Sequence, residues 1–107
     1  MVEWFDETCG QLLQHLEAKG LTETTLIVYV GDNGWIQRAD AAGFAPRSKQ
    51  SANEGGIRQP ILISWPGVIR PGNRGDQLAS SVDLFPTALA AAGVEPPANL
   101  PGYNLLP

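Results

Sequence analysis

The sequence predicts an α/β fold, and three observations predict it. Two short runs of continuous apolar, β-branched residues lie at 25–31 and 60–65. An amphipathic stretch precedes the first run and an alanine-rich stretch follows the second. The resulting order is helix, strand, long loop, strand, helix, the alternation expected of α/β proteins.

Residues 2–18 read as a helix, because Val2, Phe5, Cys9, Leu12, Leu13 and Leu16 recur at three- and four-residue spacing and form one apolar stripe. Lys19 stands near its end and Gly20 suits the position just past it. Thr22-Glu23-Thr24 is a short polar turn. The run from Thr25 to Gly31 is continuous rather than alternating, which predicts a strand covered on both faces in a parallel sheet. From Asp32 to about Pro60 the pattern is irregular, and a loop of that length is usually functional or disordered. Pro60-Ile-Leu-Ile-Ser-Trp65 reads as a second buried strand, ended by Pro66-Gly67, and Pro71-Gly72-Asn73 makes a further turn. Ser80, Ser81 and Asp83 are N-cap candidates for a helix over 83–92. Pro86 is tolerated in its first turn, Ala88 to Ala92 favour helix, and Gly93 closes it. The tail from Pro96 to Pro107 reads as extended loop. The expected arrangement is two neighbouring, mostly parallel strands with both helices packed on them. Two strands make a poor sheet by themselves, so residues 1–107 are expected to be a piece of something larger.

Composition narrows the function classes. The chain has 107 residues, one domain's worth at most, with seven Lys and Arg against eleven Asp and Glu, a net charge of -4. That balance argues against a basic nucleic-acid footprint, so no nucleic-acid partner is expected. No apolar run approaches the roughly 18 residues of a membrane span. The acidic, amphipathic first residues, Met1 to Glu7, are no signal peptide. One cysteine excludes an internal disulfide and a multi-cysteine metal site, and one histidine excludes a multi-histidine site.

The chemistry-bearing candidates lie in the long loop. Asp32-Asn33 directly follows the first strand, and open α/β sheets bind ligands outside the carboxyl ends of their strands. A carboxylate beside a carboxamide supplies two hard oxygen donors of the kind Ca²⁺ or Mg²⁺ prefers. Asp-Asn-Gly is equally a common turn tripeptide, although no second strand pattern follows Trp35 to complete a hairpin. Lys49, with Arg47 and Arg58, makes the loop locally basic and suited to holding an anion's oxygens, or else presents three solvated cations. Glu54-Gly55-Gly56-Ile57-Arg58 allows close backbone approach before the second strand. Glu54 is placed to brace the loop through a cation, and Arg58 to pair with Asp32 or Asp83; the plainer alternative is a glycine turn with surface charges. Cys9 sits on the apolar stripe as a small hydrophobe, and His15 flanks that stripe without a partner ligand. Trp4 and Trp65 read as packing residues; Trp35, following Asp32-Asn33, stays open as a substrate platform.

Taken in register, these segments resemble the sulfatase family of the alkaline-phosphatase superfamily, over nearly the whole chain. Thr25 to Gly34 is similar to the family strand that ends in Asp-Asn-Gly. Lys49, five residues before Glu54-Gly-Gly-Ile-Arg-Gln-Pro60, matches the family's lysine ahead of its Glu-Gly-Gly-[Ile/Val]-Arg-x-Pro segment. Ile61 to Gly67 resembles the following strand and Trp-Pro-Gly turn, Ser81 to Thr87 the late helix, and Leu100 to Leu106 a Gly-x-x-Leu segment. The resemblance implies a partial alkaline-phosphatase-like parallel sheet with flanking helices and a long active-site loop. It implies hydrolysis of sulfate esters by a formylglycine nucleophile and a Ca²⁺ ion, with Mg²⁺ as the alternative metal. By match, Asp32 and Asn33 are metal ligands, and Lys49 is the catalytic, substrate-binding cation on a sulfate oxygen. The implied substrate of the parent enzyme is a sulfated small molecule or a sulfated polysaccharide.

Departures qualify the match. Thr8-Cys9-Gly10-Gln11-Leu12 lacks the Pro or Ala and the Arg of the Cys/Ser-x-Pro/Ala-x-Arg segment that yields formylglycine, so Cys9 is not its precursor. The family's early metal-binding Asp pair and catalytic histidines have no counterpart, and His15 matches none of them. Residues 1–107 therefore correspond to the C-terminal portion of a sulfatase catalytic domain, expected to be inactive alone. The alternatives are a phosphodiesterase or phosphonate hydrolase of the same superfamily, which shares the metal cradle, and a non-catalytic remnant. The chain bears no mark of its compartment; an exported parent, periplasmic or extracellular, is the expectation.

Overall fold

Helix α1 runs from Val2 to Ala18, as its apolar spacing dictates. It ends in a Schellman arrangement: Leu21 N–H bonds to the Leu16 carbonyl and Gly20 N–H to the Glu17 carbonyl, both at 2.9 Å. Gly20 takes φ +66°, a conformation a side chain would strain. No residue of α1 is buried, and Phe5, Leu12 and Leu13 on its stripe are exposed. Cys9 and Leu16 on the same stripe are half-buried, so the stripe is covered only in part.

The computed structural model describes residues 1–35, 46–73 and 75–107, which fall into two compact units. One comprises Met1–Ile27 with Ser64–Pro107, the other Val28–Ile63.

Strands β1 (Ile27–Val30) and β2 (Ile61–Ser64) pair in a two-stranded sheet. Gly31, just after β1, donates its N–H to the carbonyl of Pro60, just before β2, at 3.1 Å. The end of β1 thus lies beside the start of β2, and the strands run antiparallel. This corrects the parallel expectation. Continuous apolarity reports cover on both faces but carries no strand direction; the connection sets direction, and residues 31–60 return the chain to the end of the sheet it left. Burial differs from expectation too. Val28, Tyr29, Val30 and Leu62 are exposed, and β2 alternates between half-buried and exposed positions. A strand pair without covering layers leaves both faces open, whatever the sequence is built to bury.

The stretch before β2, for which a glycine turn is one reading, closes into a one-turn helix, α2 (Glu54–Ile57). Ile57 and Arg58 N–H bond to the carbonyls of Asn53 and Glu54. Helix α3 (Leu84–Ala91) is preceded by a 3-10 turn at Ser81–Asp83 and closes like α1, with Val94 N–H on the Leu89 carbonyl and Gly93 N–H on that of Ala90.

Among the described residues the buried side chains are Ser48, Asp83, Pro86 and Thr87. Asp83 and Thr87 hold the C-terminal segment. Asp83 accepts from the backbone N–H of Ser80 (2.7 Å) and of Tyr103 (2.8 Å). The Thr87 hydroxyl donates to the Asp83 carbonyl (2.6 Å) and accepts from Leu105 N–H (2.9 Å). In the same unit the Trp65 indole N–H donates to the Glu23 carbonyl at 2.8 Å, so Trp65 anchors the turn after α1.

Candidate active site

Asp32 and Asn33 follow β1 directly, at its carboxyl end. The Asp32 side chain is exposed and, among the described residues, has no hydrogen-bond or ion-pair partner. Asn33 donates its side-chain amide N–H to the Gly34 carbonyl at 2.5 Å. That bond fixes the orientation of the amide and leaves Oδ1 as the group's available acceptor. The pair therefore offers one anionic and one neutral oxygen donor, the hard-ligand chemistry that Ca²⁺ or Mg²⁺ takes. The donor set fits such an ion as part of a larger cradle, because among the described residues no group of three or more His, Cys, Asp or Glu converges.

Lys49 is brought to this strand end by the backbone: its N–H donates to the Trp35 carbonyl at 2.9 Å, three residues past Asp32. Its own segment is tightly turned. Arg47 and Gln50 have φ of +58° and +72°, uncommon for residues with side chains and often associated with functional sites. Buried Ser48 between them accepts at its carbonyl from both the N–H and the hydroxyl of Ser51. Lys49 is half-buried and makes no ion pair among the described residues, so its ammonium is not neutralised by a carboxylate there.

The paired glycines of α2 join these two segments. Gly34 N–H bonds to the Gly56 carbonyl at 3.0 Å. A Cβ on Gly56 would lie 2.5 Å from the Ser48 carbonyl oxygen, and one on Gly55 would lie 2.5 Å from that of Arg47 and 2.6 Å from the Trp35 ring. Only hydrogen fits at either position, so α2 seats directly beneath both the Asp32-Asn33 turn and the Lys49 turn. Turn-forming glycines were legible in the sequence; their role as the floor between two other segments was not, because that role lies in partners distant along the chain.

Arg58 is not paired with Asp32 or Asp83, as one reading of the sequence had it, but with Glu54 at 3.0 Å. One helical turn places those two exposed side chains on the same face, so Glu54 pairs within its own short helix. Asp83 instead spends its carboxylate on the Ser80 and Tyr103 amides. Cys9 is a half-buried free thiol on α1, and His15 lies in that helix's last turn; neither belongs to the site's segments. Arg38 and Asp40, in the long loop, lie outside the described residues. No helix among the described residues is long and apolar enough to cross a membrane.

Comparison with known proteins places this arrangement in a class. The profile of the Sulfatase family matches residues 1–94, and the chain belongs to that family. Human N-acetylgalactosamine-6-sulfatase is 35% identical over 113 aligned positions, covering 99% of this chain and 22% of that protein. Human arylsulfatase A is 39% identical over 107 positions, covering 95% of this chain and 21% of its own length. The chain thus spans about a fifth of these relatives. Among solved structures, the crystal structure of Ps i-CgsB in complex with k-i-k-neocarrahexaose superposes with a TM-score of 0.83 at 33% identity, covering all of this chain and 24% of that one. The alkaline-phosphatase-like α/β expectation therefore holds at the level of fold class, with the two strands antiparallel within it.

Proposed function

We propose that residues 1–107 are a portion of the catalytic domain of a sulfuric ester hydrolase, contributing part of its metal cradle and one substrate cation. Asp32 and Asn33 would hold a Ca²⁺ or Mg²⁺ ion. Such an ion, when bound, supplies positive charge against sulfate oxygens. Lys49 contributes the second positive charge. Its ammonium would offset the negative charge that builds on a sulfate oxygen as the ester bond breaks. The Trp35 backbone link keeps that ammonium's segment beside the strand end, and the α2 glycines support both from below. The observation that carries the reading is the Lys49 N–H to Trp35 carbonyl bond, which unites two segments fourteen residues apart.

Two findings bear on the substrate class: one relative is named N-acetylgalactosamine-6-sulfatase, and a structural neighbour was crystallised in complex with k-i-k-neocarrahexaose. We take the class to be a sulfated saccharide. Calorimetry tests the reading. The chain is expected to take up Ca²⁺ and then inorganic sulfate; Asp32→Ala should weaken the first by tenfold or more and Lys49→Ala should weaken only the second. Absence of both events in the unaltered chain would refute the assignment.

A further inference from the structure

Trp35 is not accounted for by the metal and sulfate chemistry, yet it lies between the residues that carry it. It follows Asp32-Asn33-Gly34, and its own carbonyl accepts from Lys49 N–H. A large aromatic side chain is usually buried for its apolar area, but Trp35 is 56% exposed. The exposed ring is nevertheless seated. Its Cζ2 and Cε2 atoms lie so close over Gly55 that no Cβ could stand there, a Cβ on that residue falling 2.6 Å and 2.9 Å from them. The other partner of Gly55 is the Arg47 carbonyl, two residues before Lys49. The indole N–H has no hydrogen-bond partner among the described residues, unlike that of Trp65, which bonds to the Glu23 carbonyl. The result is a supported aromatic surface, its polar tip without a partner among the described residues, held between two carriers of the proposed sulfate chemistry.

We propose that Trp35 is a specificity-determining residue, the platform on which the sugar ring bearing the sulfate stacks. The proposal rests on the assignment of Asp32, Asn33 and Lys49 to a sulfate-ester site. An aromatic face carries negative electrostatic potential, and the C–H face of a pyranose carries the complementary positive hydrogens. The indole N–H, which has no partner among the described residues, is a donor for a ring hydroxyl or for the ester oxygen. The immobilisation cost is small, since Gly55 and the Lys49 bond already fix the residue. Trp35 thus selects the group attached to the sulfate, while Lys49 and the metal ligands act on the sulfate itself.

The test uses the full chain labelled with 5-fluorotryptophan, with Ca²⁺ present, and ¹⁹F resonances of Trp4, Trp35 and Trp65 assigned by single Trp→Phe variants. Titrants are N-acetylgalactosamine 6-sulfate, unsulfated N-acetylgalactosamine and inorganic sulfate. The sulfated sugar is expected to shift the Trp35 resonance and leave Trp4 and Trp65 in place. Trp35→Ala should weaken sulfated-sugar binding about three- to tenfold without changing inorganic sulfate binding. Trp35→Tyr, which keeps a ring over Gly55, should recover most of the loss. If Trp35→Ala leaves sulfated-sugar affinity intact, or weakens inorganic sulfate equally, the platform is wrong and the sulfate site stands. If the unaltered chain binds neither sulfate nor sulfated sugar, the sulfate assignment fails and the platform with it.

Discussion

Asp32 and Asn33 offer the same donor element with different charge, and that difference orders their variants. A carboxylate attracts a divalent cation through its full charge, whereas the Asn33 amide contributes a dipole. Asp32→Ala should therefore lower Ca²⁺ affinity more than Asn33→Ala, by tenfold or more against a few-fold. Isothermal titration of the two variants side by side checks the order. Lys49 makes a different prediction. Lys49→Arg preserves charge but replaces a compact ammonium with a planar fork on a segment fixed at both sides by positive-φ residues. In a complete enzyme containing these residues, Lys49→Ala should lower kcat toward sulfate esters by about 10²-fold or more while sparing metal affinity, and Lys49→Arg should recover only part. Steady-state kinetics with parallel metal titrations separates the two effects.

At the scale of elements, the chain relies on small polar devices. Thr87 is fully buried, and its single hydroxyl serves both the Asp83 carbonyl and the Leu105 N–H. Thr87→Val keeps the shape and removes the hydroxyl, leaving the Leu105 amide without its partner, a change that costs about 1–3 kcal/mol. Thr87→Ser keeps the hydroxyl and should cost less. Hydrogen exchange at Leu105 reports the result directly: protection should fall in the valine variant and persist in the serine one. Helix α2 gives the companion case. At Gly56 an added methyl collides with backbone oxygens of Ser48 and Ser51, which cannot swing aside as a side chain would. Gly56→Ala should therefore displace the Lys49 turn. The expected sign is loss of the Lys49-to-Trp35 amide protection, whereas Gly10→Ala, in open space on α1, should leave it unchanged.

For the whole molecule the governing quantity is uncovered apolar area. Phe5, Leu12 and Leu13 on α1, Val28 to Val30 on β1, Leu62 on β2 and Phe85 on α3 are all exposed, and Pro86 alone among the described apolar side chains is buried. Surfaces of this kind drive association, and unpaired strand edges add hydrogen-bonding sites for it. The isolated chain should sediment with a concentration-dependent mass and unfold over a broad transition. It should also show no turnover of an aryl sulfate, since none of its residues falls in a formylglycine-forming segment. A monomeric profile with sharp, concentration-independent unfolding would contradict the first expectation, and turnover sensitive to Lys49→Ala the second.

The sequence by itself determined the helices and their ends, the positions of both strands and the family. These depend on periodicity, on glycines at two Schellman closures and on motifs contiguous along the chain, so a linear reading reaches them. It also singled out Asp32, Asn33 and Lys49 as candidate site residues. It did not determine the direction of β2, the one-turn helix at Glu54–Ile57, the pairing of Arg58, or the clasp of Asp83 and Thr87 on the tail. The strand direction and the clasp depend on which backbone donors and acceptors meet across long sequence separation, whereas the short helix and the Arg58–Glu54 pair close over four residues in a stretch whose paired glycines carry no helical pattern. Tertiary structure decided them because a carbonyl such as that of Trp35 or Gly56 has no sequence signature: any residue could supply it, and only the fold determines which one does.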